Sequence, residues 1–150
     1  MINVLFVCTG NICRSPTAEG VFRQLVADAG LTAHIRTASA GVESYHVGEP
    51  PDARAIEIAA HNDVDISGQR AHAFKPADFT AFEYIYAMDE GHMRILQRRA
   101  PAGAKLAMFL EDGDVPDPWY GNMKDFNDVY AMIAERCQQL LAAIVEENNL

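Results

Sequence analysis

Ile2-Asn3-Val4-Leu5-Phe6-Val7 is a short run of apolar and β-branched residues that stops at a loop, and a helical pattern begins within a few residues of it. Such a run suits a strand buried on both faces of a parallel sheet. Thr9, Gly10 and Asn11 are loop formers, and Ser15-Pro16 reads as an N-cap followed by proline in the first helical turn. Ala18, Val21, Phe22, Leu25, Val26 and Ala29 then recur at helical spacing, with Gly30 as a stop. The opening unit is therefore strand, loop, helix.

The same alternation continues. A second strand is expected at Ile35 to Ala38, a long loop through Gly41, Gly48, Pro50 and Pro51, and a helix over Ala53 to Ala60. Tyr84 to Met88 reads as a third strand, with Asp89 capping a helix to about Arg99, and Lys105 to Leu110 as a fourth. Glu111 to Asn122 reads as loop, and a last helix from about Lys124 to Glu146 carries Phe126, Val129, Ile133, Leu140, Leu141 and Ile144 as its core stripe. Strands alternating with helices predict a single α/β domain, a parallel sheet with helices on both faces. In such sheets the reactive site lies beyond the carboxyl ends of the strands, which selects the loops at Cys8 and near Asp117.

With 150 residues, 49% of them hydrophobic, the chain holds one domain. The formal charge of -9 repels nucleic acid phosphates and anionic membranes, so no nucleic-acid partner is expected. No apolar run reaches the roughly 20 residues of a membrane span, and the N-terminus lacks a leader pattern; a cytoplasmic location without membrane insertion is expected. Cys8, Cys13 and Cys137 are too few and too irregular for a disulfide framework and have no partner pair at finger-like spacing, so no metal is expected.

Cys8 and Arg14 form Cys-x5-Arg, a weak signal sharpened by its setting between a buried strand and a helix start. A loop of this length (Thr9, Gly10, Asn11, Ile12, Cys13) can curl its backbone N–H groups inward as an anion nest, and the helix N-terminus adds partial positive charge. Arg14 adds a planar, two-pronged contact to phosphate oxygens. These surroundings favour the thiolate of Cys8, the nucleophilic form. Ser15 can donate its hydroxyl to that sulfur, and Asn11 tolerates a left-handed backbone. Cys13 is either a packing residue or a disulfide partner that would protect Cys8 from irreversible oxidation. Cys137 reads as core filler within the last helix.

Displacing an alkoxide or phenoxide from phosphorus needs an acid for the leaving oxygen and then a base for water. Asp117, set between Pro116 and Pro118, is the best placed candidate, with Trp119 and Tyr120 as an apolar wall that would favour its protonated form. Tyr45, Trp119 and Tyr120 can line a slot for an aromatic leaving group, with His46 at its rim.

The segment from Val7 to Glu19 resembles the signature of the low-molecular-weight protein tyrosine phosphatases. The resemblance continues through Ser39-Ala40-Gly41, His46 to Pro50, Asp52 to Ala55, Ala87 to Glu90 and Asp117 to Gly121, in family order. It implies one such domain over residues 1–150, a four-stranded parallel sheet, and no metal or cofactor. It also implies Cys8 as nucleophile, Arg14 as clamp, Asp117 as acid and base, and a phosphocysteine intermediate. The implied substrate is a phosphotyrosine protein and, in bacteria, the opposed partner a tyrosine kinase. Two positions depart from the pattern: Tyr45 where many members carry tryptophan, and Gln69 where histidine is expected to help orient Ser15. An arsenate reductase on the same fold and a phosphate-binding module without turnover are the competing readings. The first needs relay thiols that the middle of the chain lacks, and the second leaves Cys8, Arg14 and Asp117 without purpose.

Overall fold

The structure, a computed structural model, describes residues 1–150. Four strands, β1 (Ile2–Cys8), β2 (Ile35–Gly41), β3 (Tyr84–Ala87) and β4 (Leu106–Met108), form one parallel sheet in the order β2-β1-β3-β4. Five helices accompany them: α1 (Arg14–Asp28), α2 (Ala53–His61), α3 (Asp78–Ala81), α4 (Glu90–Arg99) and α5 (Met123–Glu147). No helix is long and apolar enough to cross a membrane.

β1 is central, and its pleat divides the core. Val4, Phe6 and Cys8 belong to a cluster shared with α1, α2 and α5, while Leu5 and Val7 join Phe79, Phe82, Ile85 and Leu96 on the opposite face. Phe6 anchors the larger cluster, with ring centroids 5.5 Å from Phe22, 5.8 Å from Tyr86 and 5.7 Å from Phe109. Truncating so buried a phenylalanine costs about 3–5 kcal/mol. Because β1 pairs with β2 on one edge and β3 on the other, successive connections leave in opposite directions. The crevice this opens at the carboxyl ends of β1 and β3 is where such sheets bind ligands.

Several boundaries differ from expectation. β2 runs three residues further, to Gly41, because its whole length pairs with β1. β4 shrinks to Leu106–Met108, the three residues that pair with Ile85, Tyr86 and Ala87 of β3, itself only four residues long. α3 was not foreseen; four residues are too few to show a period. α1 starts at Arg14 with Cys13 at the N-cap position and no side-chain cap, so Ser15 lies inside the helix rather than capping it. Leu141 is only partly buried beside the α5 stripe.

Candidate active site

β1 ends at Cys8, and the chain turns through Thr9 to Cys13 into α1. Asn11 takes φ 60, a left-handed conformation that lets the loop close on itself. Its side chain then supports the loop from beneath. Oδ1 accepts from the His72 backbone N–H at 2.9 Å, and Nδ2 donates to Ser15 Oγ at 2.8 Å and Ser39 Oγ at 2.9 Å. Ser39 passes its own hydrogen to Glu19 at 2.6 Å. Gly41 is required by close approach: a Cβ there would stand 2.7 Å from the Thr9 carbonyl and 3.1 Å from the Asn11 nitrogen.

The consequence for the backbone is unusual. From Thr9 through Ser15, no backbone N–H makes a hydrogen bond within the protein, and the first to do so is Thr17, to the Cys13 carbonyl. Native chains rarely leave consecutive amides unpaired. Curled at a helix N-terminus, these groups are an anion nest.

Cys8 Sγ lies at this nest, 2.8 Å from Ser15 Oγ. Arg14 is 3% exposed and held by Asp89 Oδ2 at 3.0 Å and the Val115 carbonyl at 2.9 Å, both through Nη1. Its Nη2 is 3.7 Å from Asp117 Oδ2. Burial works to raise the Asp89 carboxyl, but the His92 N–H and the Arg14 charge outweigh it and hold the group below the usual carboxylate range. Burial, with Asp52 nearby, pushes the Cys13 thiol up, leaving it a poor nucleophile beside Cys8. All three cysteines are free and buried.

A cavity of about 190 Å³ opens over the loop, lined by residues 8–10 and 12–14 together with Tyr45, His46, Asp117, Trp119 and Tyr120. Asn11 and Ser15 lie beneath it, fully or nearly buried. His46 stands closer in than a rim position: a Cβ on Gly10 would meet its ring at 2.8 Å, and Glu49 holds its Nδ1 at 2.6 Å. The apolar enclosure expected around Asp117 is absent. Its side chain is 42% exposed, and Tyr120 is 91% exposed at the mouth. Trp119 donates its backbone N–H to Asp117 Oδ1 at 3.1 Å, so the aromatics flank the carboxylate without burying it. With its amide turned so that the nitrogen faces the Pro16 carbonyl and the oxygen faces Arg23, Gln69 is satisfied at 3.2 Å on each side; it makes no hydrogen bond to Ser15, whose orientation falls to Asn11 instead.

Sequence reasoning missed Asp89 as a partner of Arg14, His92 behind the loop, and Arg54. The last grips Asp52 and donates to the carbonyls of Gly121 at 3.1 Å and Trp119 at 3.2 Å. Asp89 is marked in the sequence as a cap, and it does accept the His92 backbone N–H; its second oxygen serves Arg14. Arg54 lies within the family-like segment Asp52 to Ala55, which by itself gives it no role.

The family model for low molecular weight phosphotyrosine protein phosphatase matches residues 3–150. The low molecular weight protein-tyrosine-phosphatase YfkJ of Bacillus subtilis is 42% identical over all of this chain and all of its own. Among solved structures, a protein tyrosine phosphatase from Entamoeba histolytica superposes with a TM-score of 0.93 at 32% identity, covering 100% of both chains. Vibrio vulnificus Wzb, solved in complex with benzylphosphonate, gives 0.83 at 33% identity over 93% of this chain and 96% of its own. The chain belongs to the low molecular weight protein-tyrosine-phosphatase family.

Proposed function

We propose that Cys8 attacks the phosphorus of a protein phosphotyrosine, with Arg14 clamping the phosphoryl oxygens and Asp117 serving first as acid and then as base. The observation that carries this reading is the run of unpaired amides from Thr9 to Ser15 with the Cys8 sulfur among them. Together they accept a dianion and the charge that spreads over its equatorial oxygens in the transition state.

In the first step the S–P bond forms as the P–O bond to the tyrosine ring breaks, and the Asp117 proton passes to the phenolate oxygen. In the second, water attacks the phosphocysteine, Asp117 takes its proton, the S–P bond breaks, and inorganic phosphate leaves. Ser15 donates to the sulfur in its anionic form, because Asn11 already donates to the same hydroxyl oxygen. Tyr45, His46, Trp119 and Tyr120 offer walls to one aromatic ring, and the benzylphosphonate bound by Wzb carries a ring of that kind on a phosphorus centre.

Thiolate chemistry and three unpaired cysteines suit a reducing compartment, the cytoplasm. A tyrosine kinase bearing phosphotyrosine fits as substrate. Arsenate reduction is disfavoured because Cys137 is fully buried in α5 and directed at the Ala18 carbonyl at 3.8 Å, where it cannot relay electrons. Rapid quenching during turnover of p-nitrophenyl phosphate, followed by mass spectrometry, should find a phosphoryl group on Cys8 and none in Cys8→Ser. Phosphorus on another residue, or turnover surviving in Cys8→Ser, would overturn the assignment.

A further inference from the structure

The guanidinium of Arg14 carries two hydrogens on each terminal nitrogen and one on Nε. Both Nη1 hydrogens are spent inside the protein, on Asp89 Oδ2 and the Val115 carbonyl. Nε has no protein partner, and the Nη2 contact with Asp117 at 3.7 Å is too long for a hydrogen bond. What remains on Nη2 is the imidazole of His92, whose Nε2 lies 3.4 Å away. The same Nε2 is 2.8 Å from Thr9 Oγ1, on the first residue of the phosphate loop.

His92 is 3% exposed, so its protonation is set by these neighbours. Arg14 can only donate, which requires an unprotonated Nε2 and puts the ring hydrogen on Nδ1. Nδ1 faces Asp89 Oδ1 at 3.2 Å, at an angle that makes no hydrogen bond, and is the one buried side-chain polar atom left without one. A buried polar group so poorly satisfied is costly; what offsets it is the single Nε2 lone pair, shared by the Thr9 hydroxyl at 2.8 Å and an Arg14 Nη2 hydrogen at 3.4 Å.

We propose that neutral His92 is a positioning residue for Arg14: its Nε2 takes one Nη2 hydrogen, leaving the other and the adjacent Nε–H as the pair that grips the phosphoryl group. Bidentate contacts from Nε and one terminal nitrogen depend on the plane of the fork. Asp89 and Val115 fix one end of that plane and His92 the other, while Thr9 ties the same imidazole to the start of the loop. The inference rests on the reading of Arg14 as the phosphate clamp.

The test uses the full chain with p-nitrophenyl phosphate as substrate and inorganic phosphate as competitive inhibitor. Glutamine can place an amide oxygen where Nε2 stands, whereas leucine offers no acceptor. His92→Leu should lower kcat and weaken phosphate inhibition by about tenfold each, and His92→Gln should restore both to within about threefold of the parent. In an Arg14→Lys background, where there is no fork to orient, adding His92→Leu should cost nothing further. Equal losses in His92→Gln and His92→Leu, or the same tenfold loss with lysine at position 14, would assign His92 to packing alone. Unimpaired activity in Arg14→Lys by itself would instead defeat the clamp reading.

Discussion

Cys8 Sγ and Ser15 Oγ stand 2.8 Å apart across the mouth of α1, and the serine oxygen is already occupied by the Asn11 amide at 2.8 Å. Its hydrogen is thereby free for the sulfur. A donor aimed at an anionic sulfur helps most when that sulfur must leave phosphorus, so Ser15→Ala should slow hydrolysis of the phosphocysteine more than its formation. Loss of one charge-assisted hydrogen bond corresponds to about tenfold or more in rate. Pre-steady-state release of p-nitrophenol should therefore show a burst larger than in the parent enzyme. A fall in rate with no gain in burst would mean that Ser15 serves only to order the loop.

Asp117 is open to solvent on one side and lies 3.7 Å from Arg14 Nη2 on the other. Removing its proton should hurt in proportion to how badly the leaving group needs one. Asp117→Asn is expected to lower kcat/KM about 100-fold for phenyl phosphate and far less for aryl phosphates with strongly acidic phenols. Rates across a series of substituted phenyl phosphates check this: the dependence on leaving-group acidity should steepen. An unchanged slope would remove Asp117 from the acid's role.

Arg54 connects the loop that carries Asp117 to the rest of the site. Its guanidinium sits 4.3 Å over Phe126 and 5.8 Å over Trp119, donates to Asp52, and reaches the carbonyls of Trp119 and Gly121. Asp52 in turn gives its backbone N–H to the Ile12 carbonyl within the phosphate loop. Arg54→Met, which retains bulk against Phe126 but loses every donor, should release the acid loop while sparing the cradle. The expected result is a severalfold drop in kcat with the inhibition constant of inorganic phosphate unchanged. Parallel loss of phosphate affinity would show that Arg54 supports the cradle as well.

What could be read in the sequence was what is local. The buried strand, the loop formers and the helical spacing after Arg14 lie within thirty residues of one another, and parallel pairing follows from alternation. The partner of Arg14 could not be read, because Asp89 is 75 positions away and its spacing suggests only a cap. Ser15 looked like a cap for a similar reason: a serine before a proline and a helical run is the usual signal. In the folded chain its hydroxyl is drawn to Cys8, and the helix start is left uncapped, with its amides free for an anion. The exposure of Asp117 was equally hidden, since neighbouring aromatics in sequence do not fix on which side of the backbone they stand.

His92 gives the site a pH signature that can be separated from those of the carboxylates. Burial first, and the Arg14 charge next, depress its imidazole from 6.5 to about 4, while Asp89, Asp117 and Asp114 pull the other way without prevailing. The folded protein keeps His92 neutral down to about pH 4, whereas the unfolded chain takes up the proton from about 6.5 downward. The unfolded state thus binds more protons across that window, so stability is complete above about 6.5 and falls as the pH drops toward 4, by at most about 3 kcal/mol. Asp89, held below its usual value by His92 and Arg14, gives up its own contribution only at lower pH. Urea unfolding at several pH values should show a decline between 6.5 and 4 in the parent that is much shallower in His92→Gln, which cannot accept the proton. Identical declines in the two proteins would mean that the acid sensitivity arises elsewhere and that the imidazole is not held neutral behind the clamp.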